Sequence, residues 1–296
     1  MSRLLVTGAS GFLGWNICRS AANRYQTTGI VNTHPCTLEN VDVRMFDLAD
    51  CAHVGKLVQE IKPDYVIHAA AQANPNYCQH HAQATQRINV EVPYALARAC
   101  AAQGVRLVFT STDLVFDGEH APYTETDPAH PLSRYGRQKR AAEIKIGYAC
   151  PSALICRLPL MFGDAPSHAS SFLQPMLAAI EQGRQQTLFA DEYRTIVSAI
   201  SAAHGIVLLL EKGVSGIFHL GGRERFSRCG FGELLAQILH RRVSLNPAKR
   251  SDMKTPAPRP ADVSLDSSKA FALGYAPALA KDSLVELACL RNVRSG

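Results

Sequence analysis

Tyr135 and Lys139 are the pair of residues whose types and spacing most directly indicate chemistry. They lie four residues apart in a segment that predicts a helix over residues 133–148, so both side chains leave the same helix face. A tyrosine hydroxyl can give a proton to a carbonyl oxygen, and a nearby cation such as Lys139 lowers its pKa. Thr112 ends an earlier apolar run and could hydrogen-bond the same oxygen. On its own, such a pair is more often part of a solvated surface.

A glycine turn near the start of the chain is the second candidate site. Residues 3–7 form a short apolar run that predicts a strand, and Gly8, Gly11 and Gly14 follow at the spacing of a dinucleotide-binding turn. Gly8 allows the tight turn, Gly11 lets phosphates approach the backbone, and Gly14 lets the next helix pack on the strand. The N-terminus of that helix offers N–H groups to an anion. The motif alone leaves open a glycine-rich turn without a ligand.

The end of the second expected strand, residues 27–32, bears on which dinucleotide would bind. NAD-preferring folds place Asp or Glu here to accept hydrogen bonds from the adenosine ribose, whereas this chain has Asn32 and His34. An acidic residue would repel a 2′-phosphate, so its absence favours NADPH. Because no arginine stands here to bind that phosphate, NADH stays an open alternative.

Strands and helices alternate through the first 160 residues. Further strands are expected at residues 41–46, 64–68 and 105–110, and helices at residues 12–24, 51–61 and 81–103. The alternation predicts an α/β fold, a Rossmann-type doubly wound parallel sheet with helices on both faces. We expect residues 1–160 to form the NAD(P)-binding domain, with residues 190–221 returning to it, and residues 161–296 to form a smaller substrate-binding lobe.

Composition limits the class of protein. Of the 296 residues, 47% are hydrophobic and 19% charged, as in a soluble globular enzyme, and the formal net charge is +6. The basic residues are scattered, so no nucleic-acid partner is expected. The nine cysteines include no Cys-x-x-Cys pair, which indicates free thiols in a reducing compartment. No apolar run is long enough to span a membrane, and we expect a cytoplasmic protein without a membrane partner.

Several motifs occur in the order of one enzyme superfamily. They are Thr7-Gly8-x-x-Gly11-x-x-Gly14, Asp47-Leu48, Ala69 to Ala71, Asn89, Thr112 and Tyr135-x-x-x-Lys139. With these motifs the chain resembles an extended short-chain dehydrogenase/reductase. Within that superfamily, residues 111–118 and 123–128 are most similar to dTDP-4-dehydrorhamnose reductases and to the related regulatory β subunits of methionine adenosyltransferase. Residues 191–195, 216–220 and 259–266 resemble the carboxyl-terminal half of that subgroup.

The resemblance implies an NAD(P)H-dependent reductase of a 4-keto-6-deoxy nucleotide sugar, with the nicotinamide cofactor, preferably NADPH, in the crevice of the sheet. It implies Thr112, Tyr135 and Lys139 as the catalytic set, with Tyr135 protonating the keto oxygen. The residues implied in cofactor binding are Gly8, Ser10, Gly11, Phe12, Leu13, Gly14, Asn32, His34, Asp47, Leu48, Ala69, Ala70, Ala71, Asn89, Thr110, Ser111, Tyr135, Lys139 and Leu158. No metal site is expected, and a homodimer is left open.

Two departures from the subgroup keep other functions open. Many of these reductases have a metal-binding Glu where this chain has Asn16, and a Trp that packs on the sugar where it has Leu158-Pro159. The alternatives are an epimerase of a nucleotide sugar that retains NAD, a reductase of another carbonyl, and a cofactor-binding regulatory subunit with little catalysis of its own.

Other polar residues are candidates for supporting roles. Arg194, Arg223, Arg225 and Arg259 could contact a nucleotide diphosphate, because a guanidinium group suits two phosphate oxygens, although a surface position is the better explanation for any single one of them. Cys78-x-His80-His81 is interpreted as a polar loop, since no further ligand pair is placed to complete a tetrahedral metal site.

Overall fold

The computed structural model describes residues 1–241 and 243–294, with side chains up to residue 289, so residues 242, 295 and 296 of the expected smaller lobe lie outside it. Its strands are β1 (Arg3–Thr7), β2 (Gln26–Val31), β3 (Val41–Met45), β4 (Tyr65–His68), β5 (Arg106–Thr112), β6 (Leu154–Leu158), β7 (Met161–Phe162), β8 (Gln186–Phe189), β9 (Tyr193–Arg194), β10 (Val197–Ser198), β11 (Gly216–His219), β12 (Phe226–Ser227) and β13 (Leu245–Ala248). Seven of them form a parallel sheet in the order β11-β6-β5-β4-β1-β2-β3. The order reverses beside β1, which confirms the predicted doubly wound sheet.

The described part of the chain forms helices on both faces of this sheet and in the carboxyl-terminal half. They are α1 (Phe12–Ala21), α2 (Val54–Ile61), α3 (Pro75–His80), α4 (Ala82–Gln86), α5 (Val92–Gln103), α6 (Arg134–Ala149), α7 (Leu173–Glu181), α8 (Ala199–Glu211), α9 (Arg228–Ile238), α10 (Ser268–Phe271) and α11 (Ala280–Arg294). Leu4 and Val6 of β1 share a buried cluster with α1 and α8, whereas Leu5 joins one with α2, α5 and α6. Because neighbouring side chains in a strand point to opposite faces, a strand covered on both faces is apolar throughout.

The segment expected as one helix over residues 81–103 is interrupted in the structure. Between α4 and α5 lies a π-helical turn, Arg87–Glu91, which contains the buried Asn89. A π turn inserts an extra residue into the helical repeat and occurs often at functional sites. Sequence periodicity could not show this insertion, because the flanking helices keep their ordinary pattern.

The carboxyl-terminal half contains a separate hydrophobic cluster. Side chains of α7, α9 and α11 surround Phe162 of β7, among them Leu173, Phe231 and Leu284. In contrast, α8 packs beside α1 and β11 adds a strand to the central sheet. A domain boundary at residue 160 stays a prediction. Within residues 1–241 and 243–294, no helix is both long and apolar enough to cross a bilayer.

Candidate active site

The glycine turn lies between β1 and α1 and is sterically restricted to glycine at two positions. Gly8 has a φ of +72°, and a Cβ there would lie 2.8 Å from the backbone nitrogen of Ala70. A Cβ on Gly14 would lie 2.1 Å from the Gly8 carbonyl oxygen. At Gly11 the nearest atom would be 3.2 Å away, a milder restriction. The predicted reasons for Gly8 and Gly14 therefore match the geometry, and this cradle fits the pyrophosphate of a dinucleotide.

A cleft of about 500 Å³ opens beside this turn, at the carboxyl ends of β5 and β6. The first turn of α1 faces it, and Gly11 provides no side-chain cap for the helix N–H groups. Such an N-terminus is suited to a phosphate group. The predicted site residues that line the cleft are Gly11, Phe12, Leu13, Gly14, Ala69, Ala71, Thr110, Ser111, Thr112, Tyr135, Lys139 and Leu158.

Tyr135 reaches the cleft because α6 packs closely on the turn that follows β5. The N-terminus of α6 is capped by Ser133, whose Oγ accepts a hydrogen bond from Gly136 N at 3.1 Å. A Cβ on Gly136 would lie 2.1 Å from the Leu114 carbonyl oxygen. Gly136 thus permits the approach that brings Tyr135 beside Thr112. The sequence analysis missed this role, although a glycine within a predicted helix was a usable signal.

Tyr135 differs from the sequence expectation in its electrostatics. Burial raises the pKa of its phenol, and the Cys78 thiol and Asp113 carboxylate raise it further, while the Thr112 hydroxyl and Arg194 oppose them. Lys139 was expected to lower this pKa, but the net change from the ordinary value is upward. The physical cause is desolvation of a side chain that is only 7% exposed. Tyr135 therefore stays protonated at neutral pH.

Lys139 is a buried cation at the wall of the cleft. Its Nζ lies 4.0 Å from the ring centroid of Phe109, and burial lowers the pKa of its ammonium to about 7, an effect that Glu143 opposes. Within the described part of the chain, no acceptor lies at hydrogen-bonding distance from this Nζ. Its position beside the cleft leaves it available to a ligand hydroxyl.

Thr112 and Ser111 both make hydrogen bonds within the protein. Thr112 Oγ1 donates to Asp113 Oδ1 at 3.1 Å and accepts from Leu114 N at 3.2 Å. Ser111 Oγ donates to Glu143 Oε1 at 2.6 Å, and Glu143 is also held by Arg157. The proton of Thr112 must therefore turn away from Asp113 to reach a substrate. The hydroxyl of Ser111 supports Glu143, and because Ser111 also lines the cleft its contact with the cofactor stays a prediction.

Asn89 was expected among the cofactor contacts, but its side chain lies outside the cleft and makes contacts within the protein. Its Nδ2 donates to Gln138 Oε1 at 2.9 Å and to the Gln72 carbonyl oxygen at 3.1 Å. Its Oδ1 accepts from Gln72 N at 2.9 Å. Asn89 thus fixes the segment after β4, which carries Ala69 and Ala71, against α6. Asn89 therefore supports this segment through its backbone and Gln138, and a contact of Asn89 with the cofactor stays a prediction.

The other predicted cofactor residues lie outside the lining of this cleft. They are Gly8, Ser10, Asn32, His34, Asp47, Leu48 and Ala70. Asn32, His34 and Asp47 are exposed beyond the carboxyl ends of β2 and β3, and Leu48 is buried. Asp47 Oδ1 accepts a hydrogen bond from Ala49 N at 2.9 Å. Their contact with the adenosine end of a dinucleotide stays a prediction.

Charged side chains form a network on the opposite wall of the cleft. Arg194 Nη1 lies 2.8 Å from both carboxylate oxygens of Asp113, and its Nη2 donates to Glu192 Oε1 at 3.1 Å. Glu192 Oε2 accepts from Arg259 Nη1 at 3.0 Å, and Arg228 Nε lies 3.9 Å from Oε1. Three guanidinium groups thus face two carboxylates, which leaves one positive charge in excess.

Two of the four candidate arginines belong to this network, and two do not. Arg194 and Arg259 line the cleft, as does Arg228, which the sequence analysis missed. Arg223 and Arg225 are exposed, and Arg225 pairs with Asp262 at 2.7 Å. Arg228 carries no motif, so nothing in the sequence distinguishes it from a surface arginine at the start of α9.

Asn16 and Cys78 both make hydrogen bonds within the protein. Asn16, at the position where many of the reductases have a metal-binding Glu, is buried on α1 and donates from Nδ2 to the Phe12 and Asp164 carbonyl oxygens at 2.8 and 3.1 Å. Cys78 is also buried, and its Sγ donates to the Gln72 carbonyl oxygen at 3.2 Å. The expected polar loop around Cys78 includes the short helix α3, whose first turn is capped by Asn74.

The sequence profile of the RmlD substrate binding domain matches residues 2–288, nearly the whole chain. The chain belongs to this family. It is 30% identical over 289 residues to the probable low-salt glycan biosynthesis reductase Agl14 of Haloferax volcanii, covering 95% of this chain and 96% of that protein. It is 27% identical over 282 residues to methionine adenosyltransferase 2 subunit beta of Danio rerio, covering 92% and 85%.

The structure of this RmlD-family chain also matches a solved relative. The dTDP-4-dehydrorhamnose reductase of Clostridium acetobutylicum superposes with a TM-score of 0.85 at 26% identity, covering 98% of this chain and 99% of that one. The resemblance drawn from the sequence is therefore confirmed. The chain is an NAD(P)-dependent oxidoreductase of the extended short-chain dehydrogenase/reductase type.

Proposed function

We propose that this protein is an NADPH-dependent reductase of a 4-keto-6-deoxy nucleotide sugar. The observation that carries the proposal is the convergence of a protonated Tyr135, Thr112 and the buried cation of Lys139 on one cleft that begins at a dinucleotide-binding turn. The names of similar proteins, a glycan biosynthesis reductase and a dTDP-4-dehydrorhamnose reductase, support the substrate class.

Tyr135 acts as the general acid in the proposed reaction. The nicotinamide, when bound in this cleft, supplies hydride to the keto carbon. Tyr135 Oη gives its proton to the keto oxygen, and its raised pKa keeps that proton in place until the oxygen gains charge. Lys139 stabilises the resulting phenolate electrostatically and binds ribose hydroxyls of the cofactor. Thr112 turns its hydroxyl toward the keto oxygen and orients the substrate carbonyl by a hydrogen bond.

The arginine wall supports binding of an anionic substrate. Arg228 and Arg259 line the cleft and are less fully paired than Arg194, which lies between two carboxylates. The excess positive charge suits the diphosphate of a nucleotide sugar, since guanidinium groups bind phosphate oxygens in pairs. Leu158 and Pro159 stand where a Trp packs on the sugar in many reductases, so the sugar itself is held by other contacts.

The test is NADPH oxidation, followed by nicotinamide absorbance, with a panel of 4-keto nucleotide sugars. Tyr135→Phe removes the proton donor and is expected to lower kcat by roughly 10²–10⁴-fold while NADPH still binds. Tyr148→Phe is the matched control, because Tyr148 lies on the same helix but is 85% exposed. If NADPH binds without being consumed with any sugar, or if Tyr135→Phe keeps full activity, the reductase proposal is wrong.

A second candidate is a regulatory subunit with little catalysis. The similarity to methionine adenosyltransferase subunits β over 92% of the chain favours it, as do Asn16 and Leu158-Pro159. It predicts a stoichiometric partner that copurifies with the protein and NADPH that is bound but not oxidised. A third reading, a nucleotide-sugar epimerase, predicts NAD that stays bound through purification and turnover without added NADPH.

A further inference from the structure

The charged network on the cleft wall has a partly exposed side and a buried side. Arg228 and Arg259, the outer arginines, are partly exposed and line the cleft, so an anionic ligand can reach both. Asp113, Glu192 and Arg194 are buried, and Arg194 lies between the two carboxylates. An anion on the outer arginines therefore acts on Asp113 through Glu192 and Arg194.

The outer arginines retain N–H groups for a ligand. Arg259 donates from Nη1 to Glu192 Oε2 at 3.0 Å, and its buried Nε has no hydrogen-bond partner within the described part of the chain. Arg228 Nε lies 3.9 Å from Glu192 Oε1, which is too far for a hydrogen bond. An anion that binds to both arginines would compete with Glu192 for their positive charge.

Asp113 lies beside both hydroxyl groups of the proposed catalytic set. Thr112 Oγ1 donates to Asp113 Oδ1 at 3.1 Å, so the threonine proton is turned away from a substrate. Burial is the main cause of the raised pKa of the Tyr135 phenol, and the charges of Cys78 and Asp113 add to it. An ionised Asp113 thus holds the proton of Thr112 and disfavours proton loss from Tyr135.

The charge balance of the network indicates when Asp113 would lose its negative charge. Without a ligand, three guanidinium groups exceed two carboxylates by one charge. A diphosphate ester has one negative charge on each phosphate, which turns this excess into a deficit of one. Burial already raises the pKa of the Asp113 carboxyl, whereas arginines hold the pKa of Glu192 low against the effect of burial. Asp113 is therefore the carboxylate that would accept a proton more easily.

We propose that Asp113 is a positioning residue that takes up a proton from solvent when the substrate diphosphate binds to the outer arginines, and that its carboxyl group then directs the Thr112 hydroxyl toward the keto oxygen. The proposal rests on the proposed function. It gives the cleft wall a second role, because binding of the distant diphosphate prepares the hydroxyl groups that act on the carbonyl.

The proton on Asp113 would change the hydrogen bonds at the reacting end of the cleft. The new O–H of Asp113 donates to Thr112 Oγ1, which also accepts from Leu114 N, so the threonine proton turns to the substrate. The second carboxyl oxygen of Asp113 still accepts from Arg194 Nη1. Loss of the negative charge also lowers the pKa of the Tyr135 phenol, which eases transfer of its proton to the keto oxygen.

Other groups near Asp113 must be distinguished from it in a proton measurement. The charged and titratable side chains that face it are Glu192 before β9, Arg194 on β9, Arg228 on α9 and Tyr135 on α6. Within residues 1–241 and 243–294, no histidine lines the cleft. Lys139 lines it and has a pKa lowered to about 7 by burial, so the cofactor should be bound before the measurement begins.

The first test is proton uptake on binding of dTDP-glucose, which has a diphosphate ester but no keto group. Titration calorimetry of the protein saturated with NADP⁺, at neutral pH in buffers of different ionisation enthalpy, gives the number of protons taken up. We expect wild type to take up at least about 0.3 proton per site and Asp113→Asn to take up none. Asp42→Asn is the matched control and should behave as wild type, because Asp42 is an exposed residue of β3.

The second test separates positioning from a merely structural role. The amide of Asp113→Asn is neutral and can donate to Thr112 Oγ1 while its oxygen accepts from Arg194, as the protonated carboxyl does. With a 4-keto nucleotide sugar and NADPH, Asp113→Asn should keep kcat within about threefold of wild type, whereas Asp113→Ala should lower kcat about tenfold through loss of one hydrogen bond. The Kd of NADP⁺ should be unchanged in both variants.

Absence of proton uptake by wild type would overturn the proposal, whatever the stability of the variants. Equal uptake by wild type and Asp113→Asn would also overturn it, as would equal losses of kcat in Asp113→Asn and Asp113→Ala. Failure of the proposed function has a different signature: dTDP-glucose binds with proton uptake that requires Asp113, but no keto sugar is reduced. Absence of dTDP-glucose binding would contradict both proposals.

Discussion

Lys139 holds an ammonium group in the interior of the protein. It is 2% exposed, lies over the ring of Phe109, and its pKa is lowered to about 7 because burial disfavours the charged form. A lysine in the unfolded chain has a pKa of about 10.4. Folding therefore costs free energy at this position, and the proposed role of Lys139 as a cation beside Tyr135 accounts for a lysine there.

Lys139→Met should make the protein more stable and inactive. Below pH 7 the native lysine must be charged while buried, so the stability gained by the variant is largest there and shrinks as the pH rises from 7 toward 10. We expect the Tm at pH 6 to rise by at least about 2 °C, with activity lost. Lys145→Met on the exposed side of α6 is the control and should change the Tm little. A Tm gain that is equal at pH 6 and pH 9.5 would contradict the argument.

The residues of the site were predictable from sequence to the extent that their signals are local. The glycine motif and Tyr135-x-x-x-Lys139 are each recognised from residues close together in the sequence. Gly11, Gly14, Tyr135 and Lys139 all line the cleft. The pKa of Tyr135 was not predictable, because desolvation depends on the whole fold around it. The ion pair between the buried Glu143 and Arg157 was not predictable either, because the two residues lie 14 positions apart and belong to no common motif.

At the scale of elements, the contact between α6 and the turn after β5 sets the spacing within the site. The Leu114 carbonyl oxygen and Pro131 Cβ lie close to the face of Gly136, at 2.1 and 2.9 Å from a Cβ built there. The first turn of α6 thus touches backbone directly, and Tyr135 is carried with it. The helix was predicted from sequence, but its close approach to the turn after β5 was not, because helix propensity does not determine the distance between packed elements.

Gly136→Ala should push α6 away from this turn. The added Cβ meets backbone, which cannot move aside cheaply, so we expect a loss of about 1–3 kcal/mol in the free energy of unfolding. A shift of about 1 Å at Tyr135 would lower kcat by roughly 10²-fold.

Gly147→Ala is the control on the same helix, because a Cβ there has no atom within 4 Å. It should stabilise the helix by about 0.5–1 kcal/mol. Equal effects of the two substitutions on kcat would refute the packing argument.

At the scale of the whole molecule, buried charges connect the central sheet to the carboxyl-terminal half. Asp113 follows β5, and Arg194 lies on β9, with exposed side-chain fractions of 1% and 8%. Burial raises the pKa of Asp113, and Arg194 opposes that rise. Glu192 forms ion pairs with Arg228 and Arg259 as well as with Arg194, whereas the ion pair of Asp113 is with Arg194. Sequence could nominate Arg194 but not its partner, because contact across the cleft leaves no local pattern.

Arg194→Met should destabilise the protein in a pH-dependent manner. The buried carboxylate of Asp113 loses its cation, and breaking such a pair costs about 3–5 kcal/mol at neutral pH. Without Arg194 the pKa of Asp113 rises further above its unfolded value, so protonation removes the cost as the pH falls, and urea unfolding at pH 5 should show a smaller deficit than at pH 7.5. Asp113→Asn in the same chain should restore part of the loss.

Arg225→Met, which breaks an exposed pair, should cost less than about 1 kcal/mol at either pH. A deficit for Arg194→Met that matches this control, or that does not change with pH, would show that Asp113 is compensated by other groups.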